Sequence, residues 1–197
     1  SGVGKTSILS KYIKGIFPVD PAPTIAIEFA TKIIQIKEGG YIKAQIWDSA
    51  GQERYKAIVA GHYRRAAGAL IVYDVTKKST FEHVVNWLNN VNEMAEKNCL
   101  TYLIGNKIDL LELNENNREV SIEDAKNFAK KNGLRFYETS ALTSVKINDC
   151  FEDLLQEIYN ERRKIKGRLN DPVDKNNKIL YLNKPTEDSE NSFGNCC

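Results

Sequence analysis

Apolar residues recur along the chain at two different spacings. A spacing of three or four residues, typical of helices packed on one side, predicts helices over residues 6–14, 79–98, 122–131 and 147–158. Continuous or alternating apolar runs predict strands over residues 27–37, 41–48, 66–74, 100–105 and 135–138. Because strands and helices alternate, the pattern predicts an α/β fold with a mostly parallel sheet.

Two of the predicted strands, residues 27–37 and 41–48, are joined by Glu38-Gly39-Gly40, a combination typical of a tight turn. We therefore expect one antiparallel hairpin beside the parallel strands. In the second strand of the hairpin, the alternation places one set of side chains on a common face: Ile42, Ala44, Ile46 and Asp48.

The periodic pattern ends near residue 165, which divides the chain into two parts. Residues 1–164 are expected to form the folded domain. Residues 165–197 contain five Lys or Arg, five Asp or Glu, six Asn and no sustained apolar period. A segment of this composition buries too little apolar surface to fold alone, so we expect a flexible tail.

Composition and charge exclude several classes of protein. Hydrophobic residues make up 42% of the 197 residues, which is enough for a buried core. The 28 Lys and Arg nearly balance the 26 Asp and Glu, and the net charge of +2 argues against a general nucleic-acid-binding protein. No apolar run approaches the roughly 20 residues of a membrane-spanning helix.

The cysteines fall into two pairs. Cys99 and Cys150 lie in apolar segments, where reduced core cysteines are expected. Cys196 and Cys197 are the last two residues, and their spacing does not match a zinc site. Neighbouring cysteines rarely bridge each other, so this second pair needs another explanation.

The chain opens with Ser-Gly-Val-Gly-Lys-Thr, which matches the end of the phosphate-binding pattern G-x-x-x-x-G-K-[ST]. Small residues let successive backbone N–H groups surround a phosphate chain, and the following helix points its positive end at it. Lys5 supplies a positive charge, and the Thr6 hydroxyl is a candidate Mg²⁺ ligand. A glycine-rich turn before a helix is the structural alternative. The candidate phosphate-binding residues are Ser1, Gly2, Val3, Gly4, Lys5, Thr6 and Ser7.

A second polar cluster, Asp48-Ser49-Ala50-Gly51-Gln52-Glu53, follows the predicted strand 41–48. Open α/β sheets bind ligands at the carboxyl ends of their strands, where Asp48 can hold Mg²⁺ through a water molecule. Gly51 lets a backbone N–H approach a terminal phosphate, and Gln52 is the candidate catalytic residue because it can orient an attacking water molecule. A strand-ending turn would explain Asp48 alone, but not the whole cluster.

Two further clusters indicate guanine as the base. Asn106-Lys107-Ile108-Asp109 follows a predicted strand, and the Asp109 carboxylate can accept the two N–H donors at the edge of guanine, a pair that adenine lacks. Asn106 can tie this loop to the phosphate loop, and the stem of Lys107 can cover the base. After the last strand come residues that can aim a backbone N–H at the guanine oxygen: Ser140, Ala141 and Leu142.

With four motifs in this order, the chain resembles the Ras-like small GTPases, and more closely the Rab family. The resemblance extends from Ser1 to about Arg163 and includes IAIEF at residues 25–29 and GALIVYDVT at residues 68–76. The stretches KAQIWDSAGQERYKAI, GALIVYDVT and ETSAL are most similar to the Rab-eleven subfamily of recycling-endosome regulators. Ala26 and Ser49 depart from the usual Rab pattern.

The resemblance implies a P-loop NTPase fold, in which helices flank a mostly parallel sheet with one antiparallel hairpin. It implies GTP as substrate, GDP as product, Mg²⁺ as cofactor and slow intrinsic hydrolysis. Thr24 is thereby expected to reach Mg²⁺ and the γ-phosphate, together with Thr6 and the water-mediated Asp48. Phe17 stands where the family has an aromatic ring packed on the base, although core packing beneath the loop is the alternative.

The resemblance also assigns the two terminal cysteines, since Cys-Cys ends in Rab proteins are doubly geranylgeranylated. Each buried CH₂ of a lipid contributes about 0.8 kcal/mol, and one chain alone holds a protein only marginally on a membrane. Because the tail is neutral overall, Cys196 and Cys197 would both be needed for the lipid anchor. A solvated tail with incidental cysteines is the alternative.

The function that the resemblance implies is a GTP-dependent switch in vesicle traffic through recycling endosomes or post-Golgi carriers. The implied partners are an exchange factor, a GTPase-activating protein, a GDP-dissociation inhibitor, the prenylation escort machinery and switch-binding effectors. The implied location is the cytoplasmic face of endosomal or Golgi-derived membranes, in exchange with the cytosol. Two alternatives are a lipidated adaptor that binds guanine nucleotide without cycling, and another P-loop NTPase. The Asp109 motif argues against the second.

In this family the first strand lies in the middle of the sheet, between the strand ending at Asp48 and the one starting near Ala66. The sequence contains neither this strand nor the first glycine of the phosphate motif. We therefore expect the domain to be N-terminally truncated, by roughly a dozen residues or more.

Overall fold

Helices and strands alternate along the chain, as the hydrophobic pattern predicts. The computed structural model describes residues 1–18, 28–49, 63–168 and 180–181. The helices in these parts are α1 (Lys5–Lys14), α2 (Lys78–Glu82), α3 (Val84–Met94), α4 (Asp109–Leu113), α5 (Ile122–Lys131) and α6 (Ile147–Arg168), with a 3₁₀ turn at Glu115–Asn117. The strands are β1 (Glu28–Gln35), β2 (Tyr41–Asp48), β3 (Gly68–Asp74), β4 (Leu100–Asn106), β5 (Arg135–Thr139) and β6 (Leu180–Tyr181).

The described strands form two three-stranded sheets. In the first, β3, β4 and β5 are parallel, so that Asp74 lies opposite Asn106 and Asn106 lies opposite Thr139. In the second, β1 and β2 form the expected antiparallel hairpin, with Glu28 opposite Asp48. No described strand pairs with both β2 and β3.

The edge of β2 that faces away from β1 is paired with the short strand β6. The pairing is parallel and joins Ile42 to Leu180 and Lys43 to Tyr181. This strand differs from the expectation of a tail without regular structure. A strand with a partner on one side only exposes a row of backbone N–H and C=O groups, which another extended segment can pair with.

The parallel sheet is covered by helices on both faces, which explains why β3 and β4 are continuous apolar runs. Successive residues of β4 point to opposite faces. Tyr102 and Ile104 join a core cluster with residues of α1 and α6, whereas Leu103 joins a second cluster with residues of α3 and α5.

Helix α1, which carries the phosphate motif at its start, is fixed by packing at its other end. The ring of Tyr12 stacks on Phe151 of α6, with 4.1 Å between the ring centroids. The Lys32 ammonium, from β1, donates a hydrogen bond of 2.7 Å to the backbone carbonyl of Tyr12. The helix is therefore held against both the hairpin and α6.

The start of α5 follows from its local sequence. The Ser121 hydroxyl accepts a hydrogen bond of 2.9 Å from the backbone N–H of Asp124, as a capping serine does. The predicted helix over residues 79–98 is instead two helices, separated at His83, whose ring nitrogen bonds the Ser79 carbonyl at 2.7 Å. The second helix ends at Met94, and no glycine or proline in the sequence marks either boundary.

Helix α6 continues to Arg168, beyond the boundary predicted at residue 164. The apolar residues on which the prediction rests end at Ile158, so the pattern marks only the first part of this helix.

Cys99 and Cys150 are free cysteines in partly and fully buried positions, as expected for reduced core residues. Burial raises the pKa of Cys99 to about 11 and that of Cys150 to about 12, so both thiols stay protonated at neutral pH. In the described parts of the chain, no helix is both long enough and apolar enough to span a membrane.

Gly105 of β4 fills a position where a larger residue does not fit. A Cβ atom there would lie 2.6 Å from the hydroxyl oxygen of Tyr73 and 2.8 Å from its Cζ. Tyr73 is fully buried and makes an edge contact with Phe81, at 5.0 Å between ring centroids. The ring therefore has little room to move away.

We predict that Gly105→Ala lowers the free energy of unfolding by about 1–3 kcal/mol, because it overpacks this part of the core. Urea denaturation is the measurement. In a Tyr73→Phe background, which removes the nearest atom, the same substitution should cost less. An equal cost in both backgrounds, or no cost in either, would contradict the proposed contact with the Tyr73 hydroxyl.

Candidate functional site

Three polar loops begin side by side at one edge of the parallel sheet. The register pairs Asp74, Asn106 and Thr139, the last residues of β3, β4 and β5. In a parallel sheet the carboxyl ends of all strands meet at the same edge. The two motifs predicted to bind guanine, which follow β4 and β5, are therefore adjacent.

The side chain of Asn106 links these loops to the phosphate motif. Its amide nitrogen donates a hydrogen bond of 2.9 Å to the backbone carbonyl of Val3. Its amide oxygen accepts from the hydroxyl of Thr139 at 3.2 Å and from the backbone N–H of Ala141 at 3.3 Å. The residue is 1% exposed, so both ends of a buried amide are satisfied by different loops.

Gly4 is required by the same contact. It has φ 92°, in the left-handed region that favours glycine. A Cβ atom on Gly4 would also lie only 2.5 Å from the amide nitrogen of Asn106. The glycine of the motif therefore permits both the turn into α1 and the approach of Asn106.

The start of α1 provides the charges expected of a phosphate site. The backbone N–H of Ile8 donates to the Gly4 carbonyl at 2.9 Å, which places the positive end of the helix dipole at the motif. Lys5 is the next residue, and burial lowers the pKa of its ammonium while the Asp48 carboxylate opposes the shift. An anionic ligand beside Lys5 would favour its charged form.

Thr6 and Asp48 bring two oxygen atoms together next to Lys5. The Thr6 hydroxyl donates a hydrogen bond of 2.5 Å to Oδ2 of Asp48, and Asp48 ends β2 in a buried position. Hydroxyl and carboxylate oxygens are the ligands that Mg²⁺ prefers. Within the described residues there is no cluster of three or more His, Cys, Asp or Glu. The donor chemistry of this hydroxyl and carboxylate pair fits a Mg²⁺ ion.

On the base side, Asp109 is the first residue of α4. Its Oδ1 accepts a hydrogen bond of 2.6 Å from the Ser140 hydroxyl, which in turn accepts from the backbone N–H of Thr143 at 3.0 Å. A carboxylate has about four acceptor positions, so this bond orients Asp109 and leaves capacity for further donors. The two predicted guanine motifs are thus hydrogen-bonded to each other.

In the sequence, Lys107 lies between Asn106 and Asp109. Its ammonium faces Asp74, a residue that the sequence analysis did not single out. Its ammonium is 2.7 Å from Oδ2 of Asp74, and its backbone has φ 74°. Burial alone would raise the pKa of Asp74, but hydrogen bonds from Lys107 and Thr76 outweigh burial and lower it. Asp74 lies in the GALIVYDVT stretch that the sequence analysis quotes, so its place at the end of an apolar strand was the sequence signal that could have identified it.

A second ion pair supports the loop after β5. Arg118 donates to both oxygens of Glu138, at 2.6 and 3.2 Å, and also to the Val120 carbonyl at 3.1 Å. Glu138 directly precedes Thr139, which bonds Asn106. The sequence analysis names Glu138 and Thr139 only as part of the ETSAL stretch and does not predict their partners, because tertiary packing rather than local pattern brings Arg118 and Asn106 to them.

Two further predicted site residues lie in the described part of the chain. Phe17 packs against the core cluster, as the alternative interpretation expects, and its contact with the base stays a prediction. Leu142 is 51% exposed, and the role of its backbone N–H at the guanine oxygen stays a prediction. Several further candidates lie outside the described residues: Thr24, Gly51, Gln52, Cys196 and Cys197.

The outer face of the hairpin carries an exposed aromatic pair that the site prediction missed. Phe29 and Trp47 are opposite each other in the register, 60% and 44% exposed, with 5.1 Å between ring centroids. The alternation of β2 could have identified Trp47, because a strand with one predicted buried face has an opposite face that is exposed.

Comparisons with known proteins agree with this geometry. The family model described as "Ras family" matches residues 1–160. Ras-related protein RABA2a of Arabidopsis thaliana is 49% identical over 159 residues, covering 81% of this chain and 71% of the relative. Ras-related protein YPTC6 of Chlamydomonas reinhardtii is 42% identical over 200 residues, covering 100% of this chain and 90% of the relative.

A third relative, Ras-related protein RABA4b of Arabidopsis thaliana, is 41% identical over 201 residues, covering 100% of this chain and 88% of the relative. The family match confirms the P-loop fold class and removes the alternative of an unrelated P-loop NTPase. It also agrees with a site in which the phosphate motif and both guanine motifs meet at Asn106. The chain belongs to the Ras family, and within it to the Rab small GTPases, enzymes that bind GTP and hydrolyse it to GDP.

Proposed function

We propose that this Rab GTPase is a switch that controls recycling-endosome or post-Golgi vesicle transport, with guanine recognised by Asp109 and the phosphates bound by residues 1–7. The nucleotide-binding part of this proposal rests on the Asn106 amide, which joins Val3 of the phosphate loop to Ala141 of the base loop. The transport route is supported by the resemblance of KAQIWDSAGQERYKAI and GALIVYDVT to the Rab-eleven subfamily.

Guanine specificity follows from the donor and acceptor pattern at the base loops. The Asp109 carboxylate accepts from the ring N–H and the exocyclic amine of guanine, while Ser140 keeps the carboxylate in place through the 2.6 Å bond. The backbone after Ser140 is positioned by Asn106 to donate to the guanine oxygen. Adenine has an acceptor at N1, no amine at C2 and an amine in place of the oxygen, so it leaves both protein groups unsatisfied.

The phosphate side combines backbone donors, one ammonium and one oxygen pair. Lys5 provides the positive charge, and Thr6 and Asp48 are the residues that would hold Mg²⁺, Asp48 through water. When bound, Mg²⁺ neutralises charge on the β- and γ-phosphates.

The switch itself is assigned to Thr24, Gly51 and Gln52. We expect the γ-phosphate to hold Thr24 and the backbone of Gly51 in one state, and hydrolysis to release them. Gln52 orients the attacking water, and intrinsic turnover is slow until an activating protein contributes. These three roles stay predictions, because the residues lie outside the described part of the chain.

Rab proteins act with regulators and effectors. For this chain we propose an exchange factor, a GTPase-activating protein, a GDP-dissociation inhibitor, prenylation escort machinery and switch-binding effectors. In the sequence, Phe29 follows the predicted switch residue Thr24 and Trp47 precedes Gly51, so this exposed aromatic pair is a candidate contact for an effector that recognises the switches.

Membrane attachment is proposed to depend on lipids at Cys196 and Cys197. The protein would then lie on the cytoplasmic face of endosomal or Golgi-derived membranes and exchange with the cytosol. Two lipid chains are needed because one chain holds only marginally and the tail has no excess of positive charge to assist it.

Base specificity provides the test of the nucleotide site. We predict that Asp109→Asn weakens GDP binding by about 100-fold or more, because a charge-assisted pair of hydrogen bonds is lost. The same variant should gain affinity for xanthosine diphosphate, whose carbonyl can accept from the new amide. Isothermal titration with both nucleotides is the measurement.

The matched control is Asp124→Asn, which makes the same change at an exposed carboxylate that accepts a hydrogen bond from the capping Ser121 hydroxyl in the first turn of α5. It should bind GDP as the parent does. Unchanged GDP affinity in Asp109→Asn would remove Asp109 from the site.

For the lipid anchor, we predict that replacing both Cys196 and Cys197 by Ser makes the protein wholly soluble in cells, while replacing one leaves weaker attachment. Sedimentation of a cell lysate is the measurement. Serine substitution of Cys99, which lies in the folded domain, is the control and should not alter sedimentation. Continued membrane association of the double variant would contradict the lipid anchor.

A further inference from the structure

We propose that Asp74 is a positioning residue for nucleotide binding: its buried carboxylate fixes the ammonium of Lys107 and so holds the Lys107 stem at the base site. The inference rests on the proposed nucleotide-binding function. It concerns a residue that belongs to none of the phosphate or guanine motifs.

The register of the parallel sheet places Asp74 where it can act on the base loop. Asp74 ends β3 directly opposite Asn106, and Lys107 is the residue after Asn106. The backbone N–H of Val75 donates to the Asn106 carbonyl at 3.1 Å, so the two chain segments remain side by side beyond the strands. Asp74 is 1% exposed and therefore lies beneath the loop rather than on the surface.

The two oxygens of the Asp74 carboxylate have different partners. Oδ1 accepts from the backbone N–H of Thr76 at 2.9 Å and from its hydroxyl at 2.7 Å. Oδ2 lies 2.7 Å from the ammonium of Lys107. The first set of bonds fixes the carboxylate within its own turn, so the second oxygen presents a negative charge to Lys107 at a defined position.

Lys107 needs such an anchor for two reasons. Its φ of 74° lies in the left-handed region, which side chains other than glycine seldom adopt. Its side chain also has four rotatable bonds, which are fixed only when the terminal ammonium has a partner. With both ends held, the methylene stem forms a fixed wall between Asn106 and Asp109.

The anchoring predicts energetic coupling between Asp74 and Lys107. Asp74→Asn keeps the shape of the side chain and an oxygen that accepts from Thr76. It places an uncharged amide beside the Lys107 ammonium in place of the carboxylate. We expect it to raise the dissociation rate of GDP from the full-length protein about tenfold, within the range of couplings between contacting residues. Lys107→Met should raise the rate further, because it removes the charge while keeping an apolar stem.

The test is a double-mutant cycle on the dissociation rate of a fluorescent GDP analogue. If Asp74 acts through Lys107, the double variant Asp74→Asn, Lys107→Met should dissociate no faster than Lys107→Met alone. A purely structural role for Asp74 would give additive effects, and additivity would overturn the inference. Asp124→Asn is the control, since it makes the same change at an exposed carboxylate in the first turn of α5 and should change the rate less than twofold.

A second measurement needs no substitution at Asp74. In the GDP complex of the parent, ¹⁵N NMR should detect the Lys107 ammonium as a slowly exchanging group hydrogen-bonded to a carboxylate. A freely exchanging ammonium would overturn the inference even if Asp74→Asn failed to fold. A parent protein without saturable GDP binding would instead overturn the proposed function, whereas normal binding with additive effects overturns the inference alone.

Discussion

The site depends on one buried amide, that of Asn106. Its nitrogen and its oxygen are bonded to three groups on two loops: the Val3 carbonyl, the Thr139 hydroxyl and the backbone N–H of Ala141. A buried amide that lost any of these partners would leave a polar group without water, which costs about 1–3 kcal/mol. The same bonds that stabilise the fold therefore also set the distance between the phosphate loop and the base loops.

Other features of the fold serve this arrangement. The parallel register of β3, β4 and β5 brings Asp74, Asn106 and Thr139 to one edge. Gly4 leaves the space that the Asn106 amide occupies, and Tyr12 fixes the far end of α1. Around Asn106, carboxylates such as Asp109 are oriented by side chains from neighbouring loops. The fixed hydrogen-bond partners of these side chains contrast with the role proposed for the switch residues, which must change partners when GTP is hydrolysed.

Much of this could be predicted from sequence, for physical reasons. The alternation at residues 41–48 gives the bounds and inner face of β2, because a strand with one buried face must alternate. Ser121 marks the start of α5 because its hydroxyl satisfies a free N–H. The motifs that follow strands come together because all parallel strands end at one edge.

The rest depends on tertiary contacts that no local pattern encodes. The motif predicts that Asn106 ties its loop to the phosphate loop, as its bond to Val3 does, but not the bond of Asn106 to Thr139 or the pairing of Lys107 with Asp74. Phe17 is an aromatic residue next to a loop, and sequence could not decide between a base and the core cluster on which it packs. The break at His83 has no glycine or proline to mark it.

The central claim is that the Asn106 amide couples the phosphate loop to base recognition. The most direct test is the GDP affinity of Asn106→Asp, which keeps the shape but replaces the donor to Val3 by an oxygen facing an oxygen. The account predicts a loss of GDP affinity on the order of 100-fold in a folded protein. Asn117→Asp, which makes the same change at an exposed amide bonded to the Leu110 carbonyl, should bind GDP normally. GDP binding of parental strength by folded Asn106→Asp would contradict the account.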